Sequence, residues 1–175
     1  MQTLRKVVLG IIIVLVAVLL AAVLFKGKVY FNIFTRSLPT GIYLRKEGDA
    51  RRGEYALTCL PREVAAYGLE RGYLAPGPCP AGNVPVGKII RGVPGDRYVI
   101  ADGILLINNE KYPLERTDTR GRDLKLFYPG GEYVVNPGEY LLLSDYAVHS
   151  WDSRYWGPVS VEFLLQPWVV IHDKR

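Results

Sequence analysis

Ser37 lies in the stretch TRSLPTGIY (35–43), on a Leu-Pro bend just ahead of a glycine. A serine hydroxyl attacks a carbonyl only when a neighbouring base takes its proton. The chain offers two candidate bases. Lys88 stands in PVGKIIRGVPGD (85–96), among Val86, Ile89, Ile90 and Val93. Burial disfavours an ammonium, so an amine held in such surroundings can become neutral; a strand lysine between apolar neighbours can equally snorkel to an edge. His149 is the rival, because Ser37, His149 and Asp145 or Asp152 supply the residue types of a Ser-His-Asp triad, a site recognised by geometry rather than chain order. The stretch SWDSRYWGP (150–158) concentrates Asp152, Arg154, two hydroxyls and large aromatics. Read structurally, it is a corner in which Arg154 pairs with a carboxylate and the rings fill core. Residue types alone leave both bases open.

No metal or other cofactor is expected. Besides His149 and His172 the soft ligands are Cys59 and Cys79, which form no CxxC pair.

The elements that must position these groups read as mainly β. VYFNIF (29–34) and GIYLRK (41–46) are short strands on either side of the Ser37 turn, and GEYALTCL (53–60) alternates in the same way. PREVAAYGLERG (61–72) changes period: Pro61 suits a first turn, Val64, Ala65 and Leu69 share a face, and Gly72 suits a C-terminal cap. From Val84 onward the pattern is strands and turns, with Asp102-Gly103, Asn108-Asn109 and Pro137-Gly138 as corners and FLLQPWVVIHD (163–173) as a closing strand. The polar connection TDTRGRDLKLFYPGG (117–131) is expected to be mobile. Such a succession gives an antiparallel β domain with one helical insertion, and no βαβ alternation.

Ahead of it, Val7 to Phe25 is uncharged, nearly all aliphatic and free of proline. At about 1.5 Å per residue it spans roughly 28 Å, close to the hydrocarbon thickness of a bilayer. A buried core helix would need a polar face that this run lacks, and Leu24-Phe25-Lys26 is a poor site for removal of a secretory signal. The reading is residues 1–28 as a membrane anchor, with a spanning helix about 7–25, and residues 29–175 as one exported domain. Lys26 and Lys28 balance Arg5 and Lys6, so local charge sets orientation only weakly. Without Arg5 and Lys6 there remain 20 basic against 17 acidic residues and no basic run, too balanced to suggest a nucleic-acid groove; the bilayer itself is the expected partner. In an exported domain, Cys59 and Cys79 bracketing a Pro- and Gly-rich excursion point to a disulfide, with two buried thiols as the alternative. The bridge would enclose the insertion at about 59–79 and contribute roughly 3 kcal/mol by loop closure.

Three segments, in order, resemble the membrane-bound type I signal peptidases. Ser37-Leu38-Pro39 looks like their nucleophile box, KIIRGVPGD (88–96) is similar to their base box, and DSRYWG (152–157) resembles their terminal box. The compact Ser-Leu-Pro turn and the cysteine-bounded insertion are most similar to the conjugative-transfer peptidases of the TraF type. The resemblance implies a signal-peptidase-like fold and a Ser/Lys dyad, with Ser37 as nucleophile and Lys88 as base. It further implies an oxyanion hole from the Ser37 N–H and Thr35, and supporting roles for Ser150, Asp152 and Arg154. It implies an exported precursor as substrate, the pilin of a conjugative system or any protein bearing a signal peptide, met at the outer, periplasmic face of the inner membrane. The sequence departs from the pattern in having Leu38 for Met, Pro39 at once after it, His149 for Asn, and Gly53-Glu54 for Gly-Asp. Two other readings are weighed beside it. A non-catalytic envelope or pilus assembly module has no need of Thr35, Ser37 and Lys88 together. A soluble self-cleaving repressor-type Ser/Lys protease sits poorly with the apolar run.

Overall fold

The apolar run folds as helix α1 (Gln2–Leu24), whose 23 residues make it about 34 Å long. This computed structural model describes residues 2–24, 26, 28–32, 36–147 and 149–173. The segment Leu4–Leu24 is long and apolar enough to cross a membrane, and none of it is buried against the rest of the chain. The helix starts earlier than the apolar run because Gln2 to Lys6 hold no helix breaker.

Hairpin strands β1 (Val29–Asn32) and β2 (Gly41–Arg45) follow, with Val29 opposite Leu44 and Asn32 opposite Gly41. Then come β3 (Tyr55–Thr58), helix α2 (Arg62–Arg71), β4 (Val86–Gly92), β5 (Arg97–Ala101), β6 (Ile104–Ile107), β7 (Glu110–Pro113) and β8 (Gly131–Val134). The chain continues through β9 (Glu139–Leu143), the single turn α3 (Ser153–Trp156), β10 (Val159–Ser160) and β11 (Leu164–Asp173). All the described pairings are antiparallel, in a seven-stranded sheet ordered β1-β2-β11-β3-β4-β9-β10 and a four-stranded sheet ordered β7-β6-β5-β8. The expected mainly β architecture is the observed one.

Alternation of side chains explains how the two sheets share a core. Leu142 of β9 packs with Ala56, Ile90 and Trp156, while Leu141 and Leu143 face Tyr98, Ile100, Leu105 and Ile107 of the smaller sheet. Successive strand residues point to opposite faces, so a strand covered on both reads as an unbroken apolar run, as Tyr140 to Leu143 does. The corners of the smaller sheet are left-handed at Asp102 (φ 51°), Gly103 (φ 73°) and Asn108 (φ 51°), the twist that two-residue hairpins require.

Between β3 and β4 the insertion is tied by the Cys59–Cys79 disulfide, which closes a loop of sequence separation 20. Its helix has Pro61 as N-cap and ends on left-handed Gly72 (φ 71°). Val64 and Ala65 are buried as expected, but Gly68 takes the third place that periodicity gives to Leu69. A Cβ at Gly68 would lie 2.6 Å from both Leu74 Cδ1 and Trp151 Cζ3, so only glycine lets α2 rest on Trp151.

The connection 117–131, expected to be mobile, is bonded to the insertion. Asp118 accepts from the Tyr73 hydroxyl at 2.7 Å, Arg122 donates to the Arg71 carbonyl at 2.9 Å, and Lys125 meets Glu63 at 2.7 Å. Its polar side chains are satisfied by α2 and by Tyr73 just after it, some fifty residues upstream, a pairing that local composition does not show.

Candidate functional site

Lys88 lies on β4, opposite Ala56 of β3, and alternation puts it on the face of Val86 and Ile90. Only 4% of it is exposed. Its amine lies 2.7 Å from Ser37 Oγ and 2.9 Å from Ser150 Oγ. Burial pushes its pKa down to about 8; the Asp152 carboxylate pulls the other way and the Arg154 guanidinium reinforces the fall. At pH 7 about a tenth of such amines are neutral, against well under a thousandth for a free lysine. A neutral amine at this distance can accept the serine proton, so the pair can generate an alkoxide-like nucleophile.

The turn carrying Ser37 is held from several sides. The Asn32 side-chain amide donates to the carbonyls of Leu38 (2.9 Å) and Pro39 (3.0 Å), and the Tyr43 hydroxyl donates to Pro39 (2.6 Å). Leu38 is buried with Tyr43, Leu57, Ile89 and Trp168. A Cβ on Gly87 would come within 2.6 Å of Leu38 Cδ1, so the residue before Lys88 must be small for the turn to seat beside the amine. None of Asn32, Tyr43 or Gly87 stands out in the sequence, because each acts through a neighbour that folding supplies.

Asp152, Ser153 and Arg154 are buried beneath the pair. Asp152 caps α3 and forms a two-pronged ion pair with Arg154, Nε to Oδ1 at 2.8 Å and Nη2 to Oδ2 at 2.9 Å. Arg154 also donates to the Ser150 carbonyl at 3.2 Å, which places Ser150 beside Lys88. Burying two charges is tolerable when each satisfies the other and the remaining donors find carbonyls, as Arg154 does with Pro113 at 3.1 Å. Ser153 Oγ accepts from the Leu142 N–H at 2.8 Å and ties the corner to β9. At the other end of the KIIRGVPGD segment, Asp96 holds the β4–β5 turn by accepting from the Val93 N–H, Arg52 and Asn108.

The structure does not assemble the histidine alternative. His149 is exposed, Asp152 is committed to Arg154, and Asp145 pairs with Arg91. Thr35 lies outside the described residues. No group of three or more metal-ligating side chains occurs among the described residues.

A cleft of about 420 Å³ opens beside Ser37 and Lys88. The insertion contributes Tyr73, Leu74 and Ala75 to its wall, and Trp151 and His149 also line it. Tyr73 and Trp151 are in ring contact, centroids 5.2 Å apart, so the disulfide-tied segment and the corner after Ser150 form one aromatic flank.

The family described as signal peptidase, peptidase S26, matches residues 3–167. The chain is 32% identical over 164 residues to the plasmid transfer protein TraF of Escherichia coli, covering 91% of each. It is 35% identical over 140 residues to the conjugal transfer protein TraF of Agrobacterium fabrum strain C58, covering 75% of each. Among solved structures, it is similar to a signal peptidase I from Enterococcus faecalis V583 at 18% identity and a TM-score of 0.39, over 70% of this chain and 98% of that one. The family match runs from the apolar helix through all three boxes to β11, and the chain belongs to the signal peptidase, peptidase S26, family.

Proposed function

We propose that this chain is a membrane-anchored serine endopeptidase with a Ser37/Lys88 dyad, which removes the leader of an exported precursor. The observation that carries the proposal is the buried Lys88 amine, its pKa lowered to about 8, lying 2.7 Å from Ser37 Oγ. Neutral Lys88 takes the Ser37 proton as Oγ attacks the scissile carbonyl. The Ser37 N–H, with Thr35, stabilises the oxyanion. The Lys88 ammonium then returns a proton to the departing amine, and water or an amine of the substrate resolves the acyl-enzyme. Ser150 accepts from or donates to the same nitrogen, and Asp152 and Arg154 keep Ser150 in place.

The precursor enters as an extended strand along the cleft, where Leu74, Ala75 and Trp151 leave room for small side chains before the scissile bond. α1 anchors the enzyme in the inner membrane with residues 29–175 on the periplasmic face. Ser37 then stays within roughly 40 Å of the bilayer even if the intervening chain is fully extended. Confining enzyme and precursor to one membrane raises their effective concentration. The plasmid-transfer and conjugal-transfer names of the relatives support the pilin precursor of a conjugative system as the substrate. Detergent-solubilised protein should cleave such a precursor, and Ser37→Ala should abolish cleavage. Equal cleavage of unrelated leaders would favour a general leader peptidase; cleavage surviving in Ser37→Ala would refute the assignment.

A further inference from the structure

Ser144 has no part in the dyad described above, yet it touches the nucleophile's own backbone. It is 7% exposed and stands one residue beyond Leu143, which pairs with Ile89 of β4. One further step along that antiparallel ladder would set Ser144 against Lys88. The β4–β9 pairing stops there, and the Ser37 turn lies in the space that β9 leaves. The Ser144 hydroxyl donates to the Ser37 carbonyl at 2.7 Å, a contact spanning 107 positions of sequence. Its backbone N–H, freed from the ladder, donates to Asp152 Oδ2 at 3.1 Å.

We infer that Ser144 is a positioning residue for the nucleophile: its hydroxyl fixes the Ser37 carbonyl, and through it the direction in which Oγ projects toward Lys88. The inference rests on the Ser/Lys reading. Ser37 is itself only half buried, and the other described bonds to the backbone of its turn reach Leu38 and Pro39. Without the Ser144 bond, the Ser37 peptide can rotate while Leu38 stays packed. The same Asp152 carboxylate that holds Ser144 also orients Arg154 toward the Ser150 carbonyl. One buried anion thus sets the nucleophile's backbone on one side and the amine's second partner on the other.

The test uses full-length protein in detergent and a fluorophosphonate that phosphonylates an activated serine, with fluoride leaving, read by intact mass as the rate of Ser37 labelling across pH. Ser144→Ala should melt within about 3 °C of wild type. It should label about tenfold or more slowly, because a small misplacement of reacting atoms is costly, with an unchanged pH midpoint. Ser144→Thr, which keeps the hydroxyl, should restore most of the rate. Should Ser144→Ala melt early, Ser144→Cys supplies a replacement of similar volume with a weaker donor and should also be slow. Wild-type labelling rates in Ser144→Ala and Ser144→Cys, or a Thr variant as slow as Ala, would overturn the inference. So would a slow variant whose midpoint has moved, since the hydroxyl would then act on Lys88. The Ser/Lys reading fails by a different signature, in which Lys88→Arg labels as fast as wild type while the Ser144 comparison stays readable.

Discussion

Lys88 carries an ionisation that the fold itself opposes. Its folded-state pKa is about 8 against an ordinary value of 10.5, chiefly through burial. Proteolytic activity should therefore rise through pH 8 and level off above it, the limb tracking deprotonation of the amine. Lys88→Arg should be inactive at every pH despite keeping the charge, because a guanidinium does not release its proton. His149→Ala should leave the limb in place; a limb near pH 6.5 that disappears in His149→Ala would return the histidine to consideration. The same depressed pKa has a stability consequence with a definite sign. Between about pH 8 and 10.5 the unfolded chain binds the proton that the folded chain has lost, so stability rises with pH across that window. Below pH 8 the penalty is fully present. Lys88→Met should thus be more stable than wild type at pH 7 by about 1–3 kcal/mol, part of the gain being offset by the stranded hydroxyls of Ser37 and Ser150. Denaturant titrations at pH 7 and pH 10.5 check this, and a difference that does not shrink at the higher pH would contradict it.

At the scale of elements, the disulfide-tied insertion is a wall of the cleft as well as a closed loop. Cys59→Ser with Cys79→Ser should lower stability by roughly 3 kcal/mol, the loop-closure contribution of about twenty residues. Because Tyr73, Leu74 and Ala75 line the cleft, the pair should raise KM more than it lowers kcat. Steady-state kinetics on a precursor peptide separate the two, and an unchanged KM would show that the wall holds without its bridge. The insertion was legible in sequence because its signals are local: a proline start, a glycine stop and two flanking cysteines. Strands and corners were legible for the same reason, as was the Ser-Leu-Pro turn. What escaped was whatever depends on distant partners. Ser144 looks like the polar end of a strand, and its contact lies 107 positions away. Gly87 reads as an interruption in β4 until Leu38 is packed against it. The 117–131 connection reads as solvent-facing because the groups bonded to it belong to α2 and Tyr73, far upstream.

The whole molecule joins its two reacting segments indirectly. Between β2, which follows the Ser37 turn, and β4, which carries Lys88, the sheet order interposes β11 and β3. The sheet must curl for Leu38 to reach Gly87, and Trp168 of β11 lies in the cluster that receives Leu38. Removing residues 164–175 should leave the β1–β2 hairpin without its neighbour. The truncated chain should lose fluorophosphonate labelling of Ser37 altogether, even where α1 still inserts; labelling at the full-length rate would show that β11 is dispensable. This arrangement also imposes a timetable on biosynthesis. Ser37 leaves the ribosome early, but the strand that lets it meet Lys88 is made more than a hundred residues later, several seconds at ordinary rates of elongation. During that interval the nascent chain holds a serine and a lysine that cannot yet react. On the proposed function, cleavage should begin only once synthesis has passed β11.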